Sequence, residues 1–312
     1  MFIFAIVIAL LLDFVLGDPA WIWHPVRLLG HVIGVAEIVC RRLPISARAQ
    51  GGIFLLLNIA VFIIPLSLLF VVTSFSKPLL TAIEGAAIYF ALGGTCLARE
   101  VGGVARALFQ HGPGEARARL RMLVSRDVDG MGEEEIASSA IETLAENFSD
   151  SACATLFYAA LGGPILAWIH RVANTLDAMV GYKTEEYVDF GWASAKFDDI
   201  VNFLPARISA LFIALVAPLV GGSVRSVLER AGKDGGALAS PNSGYPIAAF
   251  ADALGVKLCG PTSYLGELKD KPFIGEGPRP DVMDLMNALS IYWNAYALAG
   301  LFSIVLGSVI FP

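Results

Sequence analysis

The amino-acid sequence predicts an all-α, polytopic integral membrane protein with about four to six transmembrane helices and helical polar loops. Three observations carry that expectation. The mean hydropathy is +0.68, with 56% of residues hydrophobic. Only 16% of the 312 residues are charged, where a soluble chain carries about a quarter, so there is too little polar material to cover two soluble domains. Four segments approach the ~20 apolar residues a crossing needs: Met1–Leu16, Gly52–Thr73, Pro78–Leu97 and Met286–Phe311.

The first of these is short and holds Asp13. No basic stretch precedes it, and Gly17-Asp18-Pro19 is a poor cleavage site, so it is expected to be retained. Pro78–Leu97 contains Glu84, which predicts that this helix faces protein there rather than lipid. Two further apolar runs stay open between a tilted crossing, a re-entrant half-helix and a buried core helix. They are Ala152–Ile169, interrupted by Gly162-Gly163-Pro164, and Ile208–Val220. The whole chain, 1–312, reads as one membrane-embedded domain with polar loops at 17–51, 98–151, 170–207 and 221–285. Gly232–Gly244 and Lys271–Pro280 read as loops from their Gly and Pro content.

Basic residues give an expected orientation. Segments Gly17–Gly51, Ala98–Ser151 and Gly221–Leu285 share a side whether both open runs cross or neither does, and they hold 17 of the 22 Lys and Arg residues. That side is expected to be the cytoplasm. The remaining composition excludes other classes. Cys40, Cys96, Cys153 and Cys259 are scattered and form no CxxC pair, which argues against a disulfide scaffold. With 28 acidic against 22 basic residues, nucleic acid is not an expected partner. There is no GxxxxGK[ST], GxSxG, HExxH or GxGxxG. His24, His31, His111 and His170 lack zinc-ligand spacing and read as packing or interfacial residues.

The densest chemistry lies in Arg126–Asp150, RDVDGMGEEEIASSAIETLAENFSD. Asp127 and Asp129 open it in a short turn. A helix then starts near Gly132 and stacks Glu135, Glu142, Glu146 and Asp150 on one face. Like charges at that spacing repel. A cation relieves the repulsion, and Mg²⁺ commonly takes one or two carboxylates plus phosphate oxygens. The alternative is a solvated helix face, disfavoured because the stripe has almost no interleaved Lys or Arg and runs into an apolar segment.

A second dense block is Asn174–Arg207, NTLDAMVGYKTEEYVDFGWASAKFDDIVNFLPAR. Asn174 and Asp177 share a helical face, and Asp198 and Asn202 pair at i,i+4, with Asp199 and Arg207 near. Tyr182-Lys183 follows Gly181, which reads as the residue after a helix end. So many polar groups between apolar runs are costly to bury unless they meet one another or a ligand. An ordinary loop with a few salt bridges is the other reading. Ser240–Pro246, SPNSGYP, reads as a rigid turn with backbone N–H groups available to an anion, or as a plain turn.

Four ordered blocks resemble one family. LLDFVLGDPAWIWHPVRLLG, IETLAENFSDS, the Asn174–Arg207 block and SPNSGYPIAAFADALGVKL are similar to the adenosylcobinamide-phosphate synthases, the CobD/CbiB family of cobalamin biosynthesis. The likeness covers about Leu11 to Trp293, with Ser151 where Gly is usual and Tyr245 where Trp is common. It implies an inner-membrane ligase with its active loops in the cytoplasm. Such a ligase joins adenosylcobyric acid, a corrinoid substrate, to (R)-1-amino-2-propanol phosphate or a close amino-alcohol phosphate, using ATP and Mg²⁺. It also implies association with neighbouring membrane enzymes of late cobalamin synthesis.

On that resemblance Asp127, Asp129, Glu142, Glu146 and Asp150 are expected at metal and nucleotide, and Asp177, Lys183, Asp198, Asp199 and Asn202 at the reacting groups. His24, Arg27, Asn147, Asn174, Tyr182, Arg207 and Asn242 are expected to bind substrate, with Asp177 or Asp198 as the base. Two rival readings are a secondary transporter and a regulatory membrane protein like the AmpE relatives. The absence of a repeat between the two halves weighs against the first, and the intact acidic and NTLD…GYK blocks weigh against the second.

Overall fold

The computed structural model describes residues 2–18, 25–264 and 266–311. In chain order the helices are α1 (Phe2–Leu16), α2 (Pro25–Arg41), α3 (Ala47–Thr73), α4 (Lys77–Ala91), α5 (Gly94–His111), α6 (Pro113–Leu120) and α7 (Glu133–Asn147). A π-helical turn, Phe148–Cys153, leads into α8 (Ala154–Val180), then α9 (Trp192–Val201), α10 (Phe203–Val216) with a 3₁₀ turn Ala217–Val220, α11 (Val224–Asp234) and α12 (Gly244–Leu254). Four short strands follow: β1 (Leu258–Cys259), β2 (Thr262–Tyr264), β3 (Glu267–Lys269) and β4 (Phe273–Ile274). The last helix is α13 (Val282–Ile310). The fold is all-α; the antiparallel pairs β1–β4 and β2–β3 are its only strands among the described residues.

Five segments are long and apolar enough to cross a bilayer: Ala47–Thr73, Lys77–His111, Glu133–Val180, Phe203–Val220 and Val282–Ile310. Both open runs therefore fall within apolar segments of crossing length. One expected span is shorter than a crossing, and another lies within the crossing-length segment Lys77–His111 but is bent inside it. The first apolar helix, Phe2–Leu16, has only 15 residues, less than a crossing needs. Pro78–Leu97 is not one helix, because Leu92 is extended (φ −73°, ψ 164°) and the chain restarts at Gly94. The Gly-rich Leu92-Gly93-Gly94 junction breaks a run that hydropathy alone reads as continuous. Of the expected loops, Gly232–Gly244 begins inside α11 and Lys271–Pro280 contains β4.

The chain gathers into two compact units. The first comprises Met1–Gly93, Ala154–Asn202 and Gly300–Pro312. Its core is Leu29 and Ile33 of α2, Phe54 of α3, Ala87 and Ala91 of α4, and Trp168, Val172 and Leu176 of α8, with Phe190. Trp168 spends its polar edge on the α4 end, donating from Nε1 to Ala87 O at 2.8 Å, as a buried indole must. Arg171 Nε donates to Ala91 O at 2.7 Å, so a cation meets the negative C-terminus of α4. Glu84 is buried at 3% exposure, as its position in an apolar run predicted. Leu56, Leu57, Val61, Ile64, Leu68 and Val72 of α3 are exposed, an apolar face suited to lipid. The α8 run is two helical pieces, since Gly162 and Gly163 are non-helical and Pro164 begins the second. Gly163 has φ +63°, and a Cβ there would stand 2.6 Å from the Phe2 ring.

The second unit comprises Gly94–Cys153 and Phe203–Ala299. Helix α7 lies at its centre, with Ile136, Ala137, Ala140, Ile141, Leu144 and Ala145 all fully buried. Tyr292 of α13 is fully buried, donates to Gly94 O at 2.7 Å and meets Phe148 edge-on at 5.5 Å. Gly94 also lets Tyr296 of α13 pack close, because a Cβ there would lie 2.6 Å from the Tyr296 ring.

Candidate functional site

Each unit carries one polar constellation. In the first unit it forms where α8 ends and α9 begins. The chain leaves α8 at Gly181 and turns back into α9 through Gly191, where a Cβ would lie 1.8 Å from Val180 O. That turn brings the Asn174 and Asp177 face of α8 to Asp198 and Asn202. Asn202 Nδ2 donates to Asp198 Oδ1 at 2.9 Å, the i,i+4 pair that the spacing implies. Asn202 Oδ1 is therefore an acceptor, and it receives the Nε2–H of His170 at 2.8 Å. His170 then presents a bare Nδ1. That atom and Ser194 Oγ are buried without a hydrogen-bond partner. The His170 ring stacks on Tyr158 at 5.4 Å, and the Tyr158 hydroxyl donates to Val201 O at 2.8 Å.

Burial pushes the Asp198 carboxyl up to about 7, with the charge of Asp177 beside it adding to the effect. Hydrogen bonds from Asn202 and Asn174 pull the other way and keep it within the physiological range. Asp199 is partnered by Lys196 Nζ at 2.9 Å. The structure thus brings together Asp177, Asp198, Asp199, Asn202 and Asn174. It does not bury Lys183 or Tyr182 with them; both are exposed in the segment after α8. Arg27 is exposed near the start of α2, and His24 lies outside the described residues. His170 escaped the sequence reading because nothing in its spacing reveals its partner 32 residues away.

In the second unit, a cavity of about 260 Å³ is lined by Arg126, Asp127, Asp129, Glu135, Ser138, Glu142, Cys259, Thr262, Ser263 and Arg279 among others. Arg126 Nη1 and Glu142 Oε2 form a buried ion pair at 2.8 Å, with 14% and 6% of their side chains exposed. Burial works against the Arg126 charge; the attraction of Glu142 more than offsets it and raises the guanidinium above its ordinary value. The other Glu142 oxygen accepts from Ser138 Oγ at 2.7 Å and from the backbone N–H of Cys259 at 2.9 Å. Cys259 is held at φ +62°, a left-handed conformation rare for a residue with a side chain. Burial, with the Glu142 charge, pushes its thiol up, so it is protonated at neutral pH. Arg279 Nη1 donates to Cys259 O at 2.7 Å and to Ser138 Oγ at 3.3 Å.

The acidic residues expected to share a metal are divided by this geometry. Arg126 satisfies Glu142, and Arg121 pairs with Asp129. Asp127 Oδ2 accepts from Ser263 Oγ at 2.6 Å and the Gly266 N–H at 2.8 Å, which fastens the β2–β3 hairpin. Glu146 lies in the last turn of α7 at an exposed position, and Asp150 sits in the π-helical turn. The wider turn rotates Asp150 off the face that α-helical spacing gave it. Among the described residues no three His, Cys, Asp or Glu side chains are grouped to hold a metal ion. The five carboxylates therefore do not form a protein-built metal cage. They do not speak against Mg²⁺ carried on a nucleotide, which needs only one or two of them.

Three expected substrate-binding residues are also placed in this unit. Arg207 is sandwiched between Phe203 (3.6 Å) and Tyr245 (3.9 Å), and its Nη1 donates to Phe203 O at 2.6 Å and Asn242 Oδ1 at 3.1 Å. It pins the Ser240–Pro246 turn to α10. Within that turn the Asn242 and Ser243 N–H groups both point to Ser240 Oγ at 3.3 Å, so it is internally bonded. Asn147 donates to Thr143 O at 3.0 Å in its own helix.

Fold and sites together define a polytopic all-α membrane protein with two polar constellations set among apolar helices. A family model described as CobD/Cbib protein matches residues 6–292. The chain belongs to the CobD/CbiB family of cobalamin biosynthesis proteins. It is 42% identical over 274 residues to "Cobalamin biosynthesis protein CobD" of Pelobacter propionicus, covering 86% of this chain and 84% of that one. The protein of the same description from Geobacter metallireducens is 41% identical over 97% of this chain and 96% of its own. "Cobalamin biosynthesis protein CbiB" of Salmonella arizonae is 37% identical over 96% and 95%. No solved structure matches the chain.

Proposed function

We propose that the protein is an adenosylcobinamide-phosphate synthase, a MgATP-dependent ligase that forms an amide between adenosylcobyric acid and (R)-1-amino-2-propanol phosphate or a close amino-alcohol phosphate. The observation that carries this reading is Asp198, a buried carboxyl pushed up to about 7 and oriented by Asn202 and Asn174. A base with a pKa near the working pH is what deprotonation of an attacking amine requires.

In this reading the corrinoid carboxylate attacks the γ-phosphorus of ATP, the bond to ADP breaks, and an acyl phosphate forms. The amine nitrogen then attacks the acyl carbon, phosphate leaves, and the amine proton passes to Asp198. Asp177 keeps that carboxyl protonatable, and Asn202, held by His170, keeps it aimed. Mg²⁺ bound with the nucleotide would spread charge over the triphosphate. The basic bias of Gly17–Gly51, Ala98–Ser151 and Gly221–Leu285 supports an inner-membrane protein with these loops in the cytoplasm, where ATP is.

The test uses purified protein in detergent, MgATP, the amino-alcohol phosphate, and adenosylcobyric acid carrying heavy oxygen in its free carboxylate. An acyl-phosphate route delivers one labelled oxygen into inorganic phosphate for each amide formed. Amide with unlabelled phosphate, or no amide, contradicts it.

A further inference from the structure

In the first unit, helices α2, α3 and α4 wall a groove that no described side chain fills. Its wider part, about 560 Å³, lies between Leu28 and Val32 of α2, Val61 and Pro65 of α3, and Ile83 and Phe90 of α4. Its narrower part, about 350 Å³, continues between Val35 and Val39 of α2 and Leu57 of α3. Val32 and Val61 line both parts, so the two run on as one channel between the helices. Two polar rings reach the walls, and each is turned to a helix carbonyl: Trp168 Nε1 donates to Ala87 O at 2.8 Å and His31 Nδ1 to Arg27 O at 2.8 Å. What faces the channel is hydrocarbon, and an apolar cavity of this kind stays dry.

Position and length select the occupant. Helix α3 is a segment of crossing length, and Leu28, Val35, Val39, Leu57 and Val61 are exposed along the channel, so it opens onto lipid. From Pro25, which also lines it, to Val39 the helical rise gives about 21 Å. That is longer than the ~15 Å of one leaflet's hydrocarbon and shorter than the ~30 Å core. A single acyl chain entering at one interface fits such a channel and fills it by dispersion contacts. A partner's spanning helix does not fit, because it needs the full ~30 Å and a width of ~10–12 Å.

Charge marks the end at which the headgroup sits. Helix α2 closes at Arg41, and the Arg42 N–H still donates to Val39 O at 3.2 Å, which keeps Arg42 one turn beyond the channel. Gln50 Nε2 donates to Arg41 O at 3.2 Å and to Leu43 O at 2.9 Å, fixing the chain on both sides of Arg42. The neighbouring cations are committed, Arg41 to Glu37 at 2.8 Å and Arg48 to Asp189 at 2.8 Å. Arg42 is exposed, and no described carboxylate pairs with it. Anionic headgroups are drawn to Lys and Arg placed just beyond a membrane helix, and a guanidinium offers phosphate a planar fork. We infer that the channel holds one acyl chain of an anionic phospholipid, with Arg42 at its phosphate. This goes beyond the ligase reading and rests on none of its residues.

The test is intrinsic tryptophan fluorescence of the full-length protein in maltoside micelles. It is titrated with phosphatidylglycerol brominated in its acyl chains, and separately with phosphatidylcholine carrying the same chains. Bromine quenches an indole at close range, and Trp168 is the described tryptophan on the channel wall. The expected result is saturable quenching, lost in Trp168→Phe, that is half complete at about fivefold less phosphatidylglycerol than phosphatidylcholine. Arg42→Gln brings the two lipids within about twofold of each other, and Arg42→Lys keeps the preference. Ala86→Phe, which fills the channel from α4, abolishes the saturable part with both lipids; it and Arg42→Gln carry the test if Trp168→Phe does not fold. Phosphatidylglycerol also raises the thermal midpoint of the unaltered protein more than that of Ala86→Phe. Quenching that never saturates, or that Ala86→Phe leaves unchanged, identifies ordinary boundary lipid and overturns the inference. Equal affinity for the two lipids in the unaltered protein, or a preference that survives Arg42→Gln, overturns it as well. So does a dimeric mass by light scattering that Ala86→Phe turns monomeric, which assigns the channel to a second copy of the chain. Amide synthesis without saturable quenching removes this inference alone, and saturable lipid binding without amide synthesis removes the ligase reading alone.

Discussion

Asn202 donates to Asp198 Oδ1 at 2.9 Å while its own carbonyl oxygen is committed to His170. The amide cannot flip without breaking both bonds, so one orientation of Asp198 is selected. An acid held this way near neutrality gives the ligase reading its sharpest consequences.

The first consequence is a pH profile. Asp198 acts as a base only when deprotonated, so the initial rate rises with pH through about 7 and then levels. At one pH unit below that midpoint the rate is about a tenth of its plateau. Asp198→Asn flattens the rise and lowers the plateau by about 10²-fold or more. Stability runs the opposite way. The folded pKa of about 7 lies above the ordinary 3.8, so the folded state holds the extra proton between those values. Asp198's contribution is therefore complete below about 3.8 and is lost as pH rises to about 7. Asp198→Asn removes this slope from the thermal midpoint measured across that window.

Gly181 is the second test. A Cβ there would stand 2.0 Å from Asp177 Oδ1 and 2.6 Å from its backbone oxygen. Gly181→Ala displaces the Asp177 carboxylate and with it the charge that helps raise Asp198. Amide formation is expected to fall by about tenfold or more, with the pH midpoint of the remaining activity moved lower. An unchanged midpoint with reduced rate assigns Asp177 no electrostatic role.

Arg126 and Glu142 predict a cycle. Removing one partner from this buried pair, by Arg126→Met or Glu142→Leu, costs roughly 3–5 kcal/mol because the other charge is stranded. The double substitution costs less than the larger single one. Denaturant or thermal unfolding in detergent measures all three; additive losses exclude strong coupling.

Asp127 predicts a local effect. Its carboxylate holds Ser263 and Gly266, and its N–H donates to Ser263 O at 3.0 Å. Asp127→Ala removes these two side-chain bonds and loosens the β2–β3 hairpin by on the order of 2 kcal/mol. Tryptic cleavage at Lys269 is expected to quicken by about tenfold, while cleavage elsewhere is unchanged.

Much of the fold was legible because a bilayer leaves few choices. Long apolar runs such as Ala47–Thr73 announce themselves by length, and Glu84 in an apolar helix announces a protein-facing side. Asp198–Asn202 was legible because both residues lie on one helical turn. The break at Leu92–Gly93 was not, since apolar composition is the same across a kink. Nor was the neutralisation of Glu142: Arg126 is 16 residues away and the Cys259 N–H is 117 away. Spacing reveals neighbours on a helix and is silent about neighbours across a fold. The same limit hid Arg279, whose contact with Ser138 spans 141 residues, and the π-helical turn that rotates Asp150.

The central claim is ATP-driven amide synthesis, and one measurement addresses it most directly. Purified protein in nanodiscs is given adenosylcobyric acid, (R)-1-amino-2-propanol phosphate and MgATP, with product mass and ADP followed together and each component omitted in turn. The account predicts adenosylcobinamide phosphate and ADP in equal amounts only when all three are present, with Asp198→Asn folded and nearly inactive. Well-folded protein that binds corrinoid yet forms no amide, or an Asp198→Asn protein with full turnover, would contradict it.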